Sequence, residues 1–402
     1  MKKFALVSIA LPPSQSGQSI VLFNILKNLD PRIYCLITQK NINQYSFTPQ
    51  CSETLPAGYY FLQPDYQFVR MFIKAASMVQ STSMLNFALN LRTYQIKKIM
   101  RKEQCRAVIA CTGDLFDPPA AYSASRELGV PFIFYAFDYY SGQATDPLLR
   151  SFAAKYESEF IRAAAKVIVP NECMYKEYFK RYGIHATILH NPVDIEDYEI
   201  QAQRGDNSNT FGGAETKIVY TGAIYDMHYD AFRNLIAAFH FLDGSPIKIH
   251  LYTPQYQHNL DKNNITGPMI AVHKAEPVTS MATVQQQADI LFLPLSFNPQ
   301  FREIIKTSAP GKIGEYLASG RPVLVHAPKD SFVSWYFKKH RCGLVVDEED
   351  PRVLAQAIDR LITDKKFCQE ITQNAYERAK TDFDIRDVQT KFHDLINLAY
   401  HP

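Results

Sequence analysis

In its second half the chain reads Ser308-Ala309-Pro310-Gly311-Lys312-Ile313-Gly314-Glu315-Tyr316-Leu317-Ala318-Ser319-Gly320-Arg321-Pro322-Val323-Leu324-Val325. Pro310 and Gly311 precede a short helical run, and Gly320 stands where a left-handed residue is favoured at a helix C-terminus. Pro322 then opens an apolar run that is typical of a strand. The stretch predicts a loop, a helix, a turn and a strand, which is one unit of a parallel α/β sheet.

The same stretch predicts a nucleotide site. A helix that begins at the carboxyl end of a parallel strand presents backbone N–H groups and a positive dipole end to a phosphate. Lys312 adds a positive charge there, and Glu315 lies one turn further on, where its carboxylate can accept hydrogen bonds from a ribose diol. The plain alternative is a surface helix with an unrelated Lys and Glu. A P-loop is excluded, because Lys306 and Ile313 occupy positions that require Gly and Ser or Thr.

On both sides of this stretch, strand-like and helix-like runs alternate in two series, which predicts two parallel sheets covered by helices. Strands are predicted at residues 4–10, 32–38, 107–111, 131–136 and 165–169 in the first series. In the second series they are predicted at residues 217–220, 247–252, 269–272, 290–293, 322–325 and 344–346. Helices are predicted at residues 20–29, 119–128, 351–363, 367–379 and 384–400.

The chain has 402 residues, which is more than one hydrophobic core normally serves. The polar, glycine-containing segment between Asp194 and Lys217 predicts a connection between two domains. We therefore expect an N-terminal domain over residues 1–194, a linker over residues 195–216 and a C-terminal domain over residues 217–383. A last helix is expected over residues 384–402.

The motif Lys-x-x-Glu-Tyr-Leu-Ala-Ser-Gly-Arg-Pro-Val-Leu, which begins at Lys312, resembles the donor site of the family 4 glycosyltransferases. Residues 288–294 and 190–194 are similar to further segments of that family. The resemblance implies the GT-B fold, with two Rossmann-like doubly wound parallel-sheet domains facing a cleft. It also implies an acceptor-binding N-terminal domain, a donor-binding C-terminal domain and a last helix that crosses back to the first domain.

The resemblance further implies that a sugar is transferred with retention from a UDP- or GDP-linked donor, without an obligatory cofactor. Glu315 corresponds to the second glutamate of the family's Glu-x7-Glu signature, whereas Thr307 stands in place of the first. Residues 218–225 match the first strand and turn of the family's donor domain. Family members often have Arg after the glycine of this turn and Lys a few residues later, whereas this chain has Ala223 at the Arg position and Met227 or His228 in the Lys region. Two phosphate charges in a cleft need neutralising, so either Lys312, Lys306 or Arg302 compensates, or the donor binds weakly.

The predicted donor-binding residues are Gly17, Gly222, Ala223, His273, Lys306, Thr307, Ser308, Pro310, Gly311, Lys312, Ile313 and Glu315. Gly17 is included because the family has a glycine-rich turn after the first strand, although a plain loop is an equally good interpretation. His273 closes a strand in a region that lies near the nucleobase in the family, and a lone His is more often structural.

Asp138 follows a predicted strand and is a candidate for holding the acceptor hydroxyl or accepting its proton. The family often places His before this Asp, whereas this chain has Phe137, and a turn-stabilising Asp remains an equal alternative. The predicted catalytic residues are Asp138, Glu315 and Lys312. No metal site is expected, because Asp382 and Asp384, which copy a DxD motif, precede a helix that an Asp can cap.

Between Arg70 and Arg106 eight basic residues face a single acid, Glu103, and apolar residues recur there at roughly helical spacing. A basic amphipathic surface attracts anionic lipid headgroups, so residues 70–106 are a candidate membrane contact. A core-facing helix with a solvated basic side is an equal alternative. Nucleic acid is not expected, since no recognition motif accompanies the charge.

The N-terminal run is too short for a secretion signal, and seven scattered cysteines indicate free thiols, so we expect a cytoplasmic protein, with contact to the inner face of the membrane. The predicted activity is glycosyl transfer to a glycan or lipid-linked acceptor in cell-surface polysaccharide or glycoconjugate synthesis. Two alternatives stay open: a nucleotide-binding protein that has lost transfer, and a sugar-nucleotide epimerase.

Overall fold

The computed structural model describes residues 2–14, 16–39, 54–144, 146–204, 215–242, 246–274 and 276–400. The chain forms two compact units. One comprises Met1–His190 together with Arg386–Pro402, and the other comprises Asn191–Ile385. Each unit contains one parallel sheet with helices, which confirms the predicted fold class.

The first unit contains a seven-stranded sheet in the order β3-β2-β1-β4-β5-β6-β7. Its strands are β1 Phe4–Val7, β2 Tyr34–Gln39, β3 Gly58–Leu62, β4 Ala107–Cys111, β5 Phe132–Tyr135, β6 Lys166–Val169 and β7 Thr187–Ile188. All neighbouring strands are parallel. The strand order reverses between β1 and β4, and parallel α/β sheets bind ligands at such a switch point.

Strand β1 ends at Val7, three residues earlier than predicted. The Ser8 hydroxyl donates to Ala10 O at 3.0 Å and accepts from Ala10 N–H at 3.2 Å, which turns the chain out of the sheet. The strands β3 and β7 were not predicted from the sequence. The helices of this unit are α1 Gly17–Leu26, α2 Tyr66–Met78, α3 Thr82–Lys102, α4 Asp117–Leu128, α5 Pro147–Ala163 and α6 Glu172–Tyr182.

The second unit contains a six-stranded parallel sheet in the order β10-β9-β8-β11-β12-β13. Its strands are β8 Thr216–Thr221, β9 Ile247–Tyr252, β10 Ile270–His273, β11 Ile290–Pro294, β12 Val323–His326 and β13 Leu344–Val346. The strand order reverses between β8 and β11, so the carboxyl ends of these strands form the switch point of this sheet.

The helices of the second unit are α7 Ile195–Arg204, α8 Tyr229–Ala238, α9 Gln257–Lys262, α10 Met281–Gln286, α11 Arg302–Thr307, α12 Lys312–Ala318, α13 Phe332–His340, α14 Pro351–Thr363 and α15 Lys365–Arg378. Residues 195–204 are therefore helical, although their polar composition predicted a linker. The rest of that predicted linker, up to residue 214, lies outside the described residues.

The last helix, α16 Ile385–Ala399, packs on the sheet of the first unit. Phe392 stacks edge-on against Phe4 of β1, with ring centroids 6.5 Å apart. The chain enters this helix beside the segment that leaves the first unit, because Val193 N–H donates to Phe383 O at 2.8 Å and Ile385 N–H donates to Val193 O at 3.0 Å. Within the described ranges, no helix is long and apolar enough to cross a bilayer.

Candidate functional site

The loop before α12 is held from two sides. Asn191 Nδ2 donates to Ala309 O at 2.9 Å, and Ile313 N–H donates to Pro310 O at 3.1 Å. The amide of Ile313, one of the predicted donor ligands, is thus engaged inside its own turn, and its side chain is buried. The helix begins at Lys312, so the backbone amides at its start are those of Gly311 and Lys312.

Helix α12 fits closely against the segment that enters the second unit. A Cβ on Gly314 would lie 3.2 Å from the Cβ atoms of both Val193 and Phe383, so a larger residue would push the helix away. At the other end of the helix, Gly320 has φ +72°, which confirms the predicted left-handed turn before β12.

Lys312 lies against the carboxyl end of β8. Its Nζ is 3.9 Å from the centroid of the Tyr220 ring and 3.2 Å from the place that a Cβ on Gly222 would take. Burial lowers the pKa of Lys312 to about 7, and the nearby carboxylate of Glu315 only partly offsets this. The site therefore holds a cation that is easily neutralised when no anion is present.

Gly222 allows Lys312 to lie this close to the backbone at the end of β8. Its φ of +117° is a conformation that residues with a side chain rarely adopt, and a side chain would also meet Lys312. The neighbouring Ala223 is exposed, and its carbonyl oxygen accepts a hydrogen bond from the Tyr220 hydroxyl at 2.6 Å. The structure thus brings together Gly222 and Lys312, two of the predicted donor-binding residues.

Glu315 lies on the same helix as Lys312 and is partly buried. Its Oε2 accepts a hydrogen bond from Gln285 Nε2 at 2.8 Å. Burial raises the pKa of the Glu315 carboxyl, whereas the Gln285 hydrogen bond and the charge of Lys312 lower it. Gln285 was not predicted as a site residue, because only folding brings this residue of α10 within hydrogen-bond distance of Glu315 on α12.

The surroundings of the other basic residues named for the phosphate region, which are His228, Arg302 and Lys306, differ from those of Lys312. His228, at the start of α8, is buried, and burial together with the Lys312 charge lowers its pKa to about 3, so it stays neutral. Arg302 is exposed and pairs with Asp330 at 3.0 Å. Lys306 is exposed in the last turn of α11. Lys312 is the cation that contacts the β8 end.

Three further predicted donor ligands have defined local roles. Thr307, which replaces the first glutamate of the family signature, is buried at the end of α11. Ser308 caps that helix, and its N–H donates to Ile305 O at 3.3 Å. His273 stacks on Tyr252 with ring centroids 4.4 Å apart, and its Nε2 lies 3.0 Å from Nδ1 of a second histidine, His250.

In the first unit, Asp138 follows β5, next to the switch-point strands. Its backbone N–H donates to Thr112 Oγ1 at 3.3 Å, and that of Phe137 donates to the same oxygen at 2.9 Å. Burial raises the pKa of the Asp138 carboxyl. A partly buried carboxyl with a raised pKa is suited to exchanging a proton with a hydroxyl group.

Gly17 is the exposed first residue of α1. The next side chain, Gln18, donates through Nε2 to Ser8 Oγ and to Thr112 O, each at 2.9 Å. These bonds connect the start of α1 to the ends of β1 and β4. The carboxyl ends of the neighbouring strands β1, β4 and β5 therefore lie beside Gly17, Thr112 and the backbone that leads to Asp138.

The DxD-like sequence has structural partners. Asp382 accepts a hydrogen bond from the Tyr336 hydroxyl at 2.5 Å and lies 3.7 Å from Arg378. Asp384 is buried and directly precedes α16. In the part of the chain that the structure describes, no group of three or more His, Cys, Asp and Glu side chains could hold a metal ion.

The basic segment between residues 70 and 106 forms α2 and α3. Leu85, Leu89 and Ile96 are buried, as a core-facing α3 requires. Arg92 is not part of a solvated basic face: it is 4% exposed and pairs with two buried aspartates, Asp114 at 3.3 Å and Asp117. Its charge is satisfied inside the unit.

Comparison with known families and structures places the chain among sugar-transferring proteins. The family described as Glycosyl transferases group 1 matches residues 215–364, and Glycosyltransferase Family 4 matches residues 66–197. The sucrose-phosphate synthase of Thermosynechococcus elongatus is similar in structure, with a TM-score of 0.68 and 15% identity over 100% of this chain and 99% of that chain. No curated protein matches the chain by sequence.

Two further solved structures share the fold. Anabaena HepE in complex with UDP-glucose has a TM-score of 0.67 and 13% identity over 99% of this chain and 100% of that chain. The UDP-forming α,α-trehalose-phosphate synthase of Burkholderia vietnamiensis has a TM-score of 0.67 and 12% identity, with 100% of both chains covered. These likenesses extend over whole chains and show a common architecture.

Proposed function

Because the chain belongs to the family 4 and group 1 glycosyltransferases of GT-B fold, we propose that its Asn191–Ile385 unit binds a nucleoside diphosphate sugar as the donor. The sugar is transferred, with retention, to a glycan or lipid-linked acceptor in the synthesis of cell-surface polysaccharide or glycoconjugate. The observation that carries the proposal is the packing of Lys312 Nζ against Gly222, which puts a cation beside bare backbone at the switch point of the sheet.

Lys312 acts on the leaving group. When the bond between the sugar and the diphosphate breaks, negative charge grows on the departing oxygen, and a preorganised cation in a partly buried site stabilises it strongly. The diphosphate in turn favours the protonated form of Lys312, whose pKa burial lowers to about 7. Binding of the donor and charging of the lysine therefore support each other.

Glu315 recognises the ribose, since its carboxylate can accept hydrogen bonds from both hydroxyls. On the first unit, Asp138 holds the acceptor hydroxyl and accepts its proton as the new glycosidic bond forms. UDP is the nucleotide of first choice because HepE, a structural relative, was crystallised with UDP and with UDP-glucose. A GDP-linked donor is the second choice.

The test of the donor site is thermal stabilisation, measured with UDP-glucose, GDP-mannose, ADP-glucose and a CMP-linked sugar. One diphosphate sugar should raise the Tm of the wild type and of Glu349→Ala, an exposed control on the same unit. Glu315→Ala should lose most of this shift. If no nucleotide sugar shifts the Tm, or if Glu315→Ala responds as the wild type does, the site assignment is wrong.

We also propose that α2 and α3 dock on an anionic membrane, at the inner face of the cytoplasmic membrane, where a lipid-linked acceptor is available. Helix α2 has an exposed apolar stripe at helical spacing, with Phe68 58%, Met71 71% and Met78 77% exposed. The exposed cations Arg70 and Lys74 lie beside this stripe. Contiguous exposed apolar surface of this kind marks interaction sites.

Helix α3 adds a second stripe, formed by the exposed residues Phe87, Leu91 and Tyr94. A narrow pocket of about 90 Å³ separates the two stripes and is lined by Phe68, Phe72, Phe87 and Leu91. Apolar side chains that enter the headgroup region and cations that meet anionic lipids are the two components of peripheral binding.

Sedimentation with vesicles tests this surface. The wild type should bind phosphatidylcholine vesicles that contain phosphatidylglycerol at low salt, and binding should fall with salt or without the anionic lipid. The double variant Phe68→Ser/Met71→Ser should bind much less, whereas Tyr256→Ser, which alters an exposed aromatic residue of the other unit, should bind normally. If the wild type ignores anionic vesicles, the docking proposal fails.

A further inference from the structure

The fully buried side chain of Gln285, on α10, makes three hydrogen bonds inside the Asn191–Ile385 unit. Its Nε2 donates to Glu315 Oε2 at 2.8 Å and to Thr221 Oγ1 at 3.2 Å. Its Oε1 accepts from the Tyr198 hydroxyl at 2.7 Å. Both N–H groups and the carbonyl oxygen of the amide are therefore used.

These partners determine which way round the amide lies. An ionised carboxylate only accepts hydrogen bonds, so the amide nitrogen must face Glu315. The Tyr198 hydroxyl can then give its proton to the amide oxygen. The reversed amide would set two oxygens 2.8 Å apart at Glu315, unless that carboxyl carried a proton. The ionised Glu315 thus decides the orientation of Gln285, and the Tyr198 hydroxyl, which can donate or accept, completes the hydrogen bonding of the amide oxygen.

The second N–H of Gln285 reaches the other half of the predicted donor site. Thr221 is the last residue of β8 and directly precedes Gly222. Its N–H also donates to the Tyr316 hydroxyl, on α12, at 3.1 Å. Gln285 therefore joins the strand end that carries Gly222 to the helix that carries Glu315, which holds the two elements at a defined separation.

We propose that Gln285 is a positioning residue for the donor: it orients the ionised Glu315 through Oε2, so that Oε1 accepts the hydrogen bonds of the donor ribose. This inference rests on the proposed function. The amide is neutral, so it orients the carboxylate without adding charge to a site that already contains Lys312. A glutamate in its place would put two carboxylates side by side.

The pH dependence of donor binding separates this role from a merely structural one. Burial raises the pKa of Glu315, and the Gln285 hydrogen bond opposes that shift together with the charge of Lys312. The other ionisable groups nearby, Tyr198 and Tyr316, have pKa values raised by burial and stay neutral. Loss of the Gln285 bond therefore raises the pKa of Glu315 and moves the acid limb of donor binding to higher pH.

The experiment compares Gln285→Met, which keeps the length of the side chain but has no amide, with Gln287→Met, an exposed glutamine two residues further on. Binding of UDP-glucose and GDP-mannose is measured by calorimetry between about pH 5 and pH 8. We expect Gln285→Met to weaken donor binding about tenfold or more, since it removes a hydrogen bond to a charged group. Its acid limb should move upward, and the donor KM should change more than kcat.

A second variant distinguishes a specific loss of donor binding from a loss of folding. Tyr198→Phe leaves Gln285 in place but removes the hydroxyl that donates to its amide oxygen, so a smaller loss in the same direction is expected. If Gln285→Met lowers the Tm but binds donor with the affinity and pH profile of the wild type, Gln285 is only structural and the inference is wrong. A wild type that binds neither nucleotide sugar would instead refute the donor site itself.

Discussion

The pKa of Lys312 leads to a quantitative prediction about donor binding. Because burial lowers this pKa to about 7, about nine in ten molecules hold a neutral Lys312 at one pH unit above it. A bound diphosphate favours the charged form, so binding must take up a proton. Above pH 7 the donor Kd should therefore rise up to about tenfold per pH unit, or about 1.4 kcal/mol.

Below pH 7 the lysine is already charged, and the Kd should change little until Glu315 begins to take up a proton. Calorimetry of UDP-glucose binding in buffers of different ionisation enthalpy measures the proton uptake directly. We expect uptake of about half a proton at pH 7 and about 0.9 proton at pH 8. Lys312→Met should bind the donor weakly and without proton uptake, whereas Lys366→Met, which alters an exposed lysine on α15, should bind it with the proton uptake of the wild type.

Two results would refute this reasoning. If the wild type binds the donor at pH 8 without proton uptake, Lys312 is either charged in the empty site or remote from the diphosphate. If Lys312→Met shows the same dependence of Kd on pH as the wild type, another group takes up the proton. Either result would contradict the proposal that Lys312 stabilises the charge of the leaving group.

Three further predictions concern stability and the phosphate site. The folded pKa of Lys312 lies below its ordinary 10.5, so the unfolded chain binds more protons between pH 7 and 10.5 and stability rises with pH there; Lys312→Met should raise the Tm at pH 7, with a gain that shrinks towards pH 10. Gly222→Ala and Gly267→Ala, at φ +117° and +143°, should each lower the free energy of unfolding, measured with denaturant, by about 1–3 kcal/mol. Only Gly222→Ala, whose new side chain would meet Lys312, should also weaken donor binding. Arg92→Met leaves two buried aspartates without their cation and should lower the unfolding free energy by about 3–5 kcal/mol; a loss below 1 kcal/mol would show that this ion pair is not structurally important.

Sequence patterns predicted most of the architecture because strands and helix ends are set locally. The apolar runs at Ile247–Tyr252 and Leu344–Val346 form strands with the predicted bounds, and Pro351–Thr363 forms the predicted helix. The strand Gly58–Leu62 was missed: it lies at the sheet edge, and its side chains are partly exposed, so it lacks the continuous apolar pattern of a central strand.

The same local information predicted a short helix after Pro310 and Gly311 with Lys312 and Glu315 one turn apart, and α12 is that helix. It left the basic segment undecided, and only the folded unit shows Arg92 paired inside while Phe68 and Met71 are exposed. The burial of a side chain depends on which helices cover it, and that is not encoded in the spacing of a single helix.

The sequence alone was enough to predict two parallel α/β sheets and a short helix that carries a cation and a carboxylate. Tertiary structure alone decided that Lys312 lies against Gly222, that its pKa falls to about 7, and that Gln285 binds Glu315. Propensity and periodicity act over a few neighbouring residues. Desolvation and side-chain hydrogen bonds depend on partners about 30 and 90 positions away, whose approach is set by packing of the whole unit.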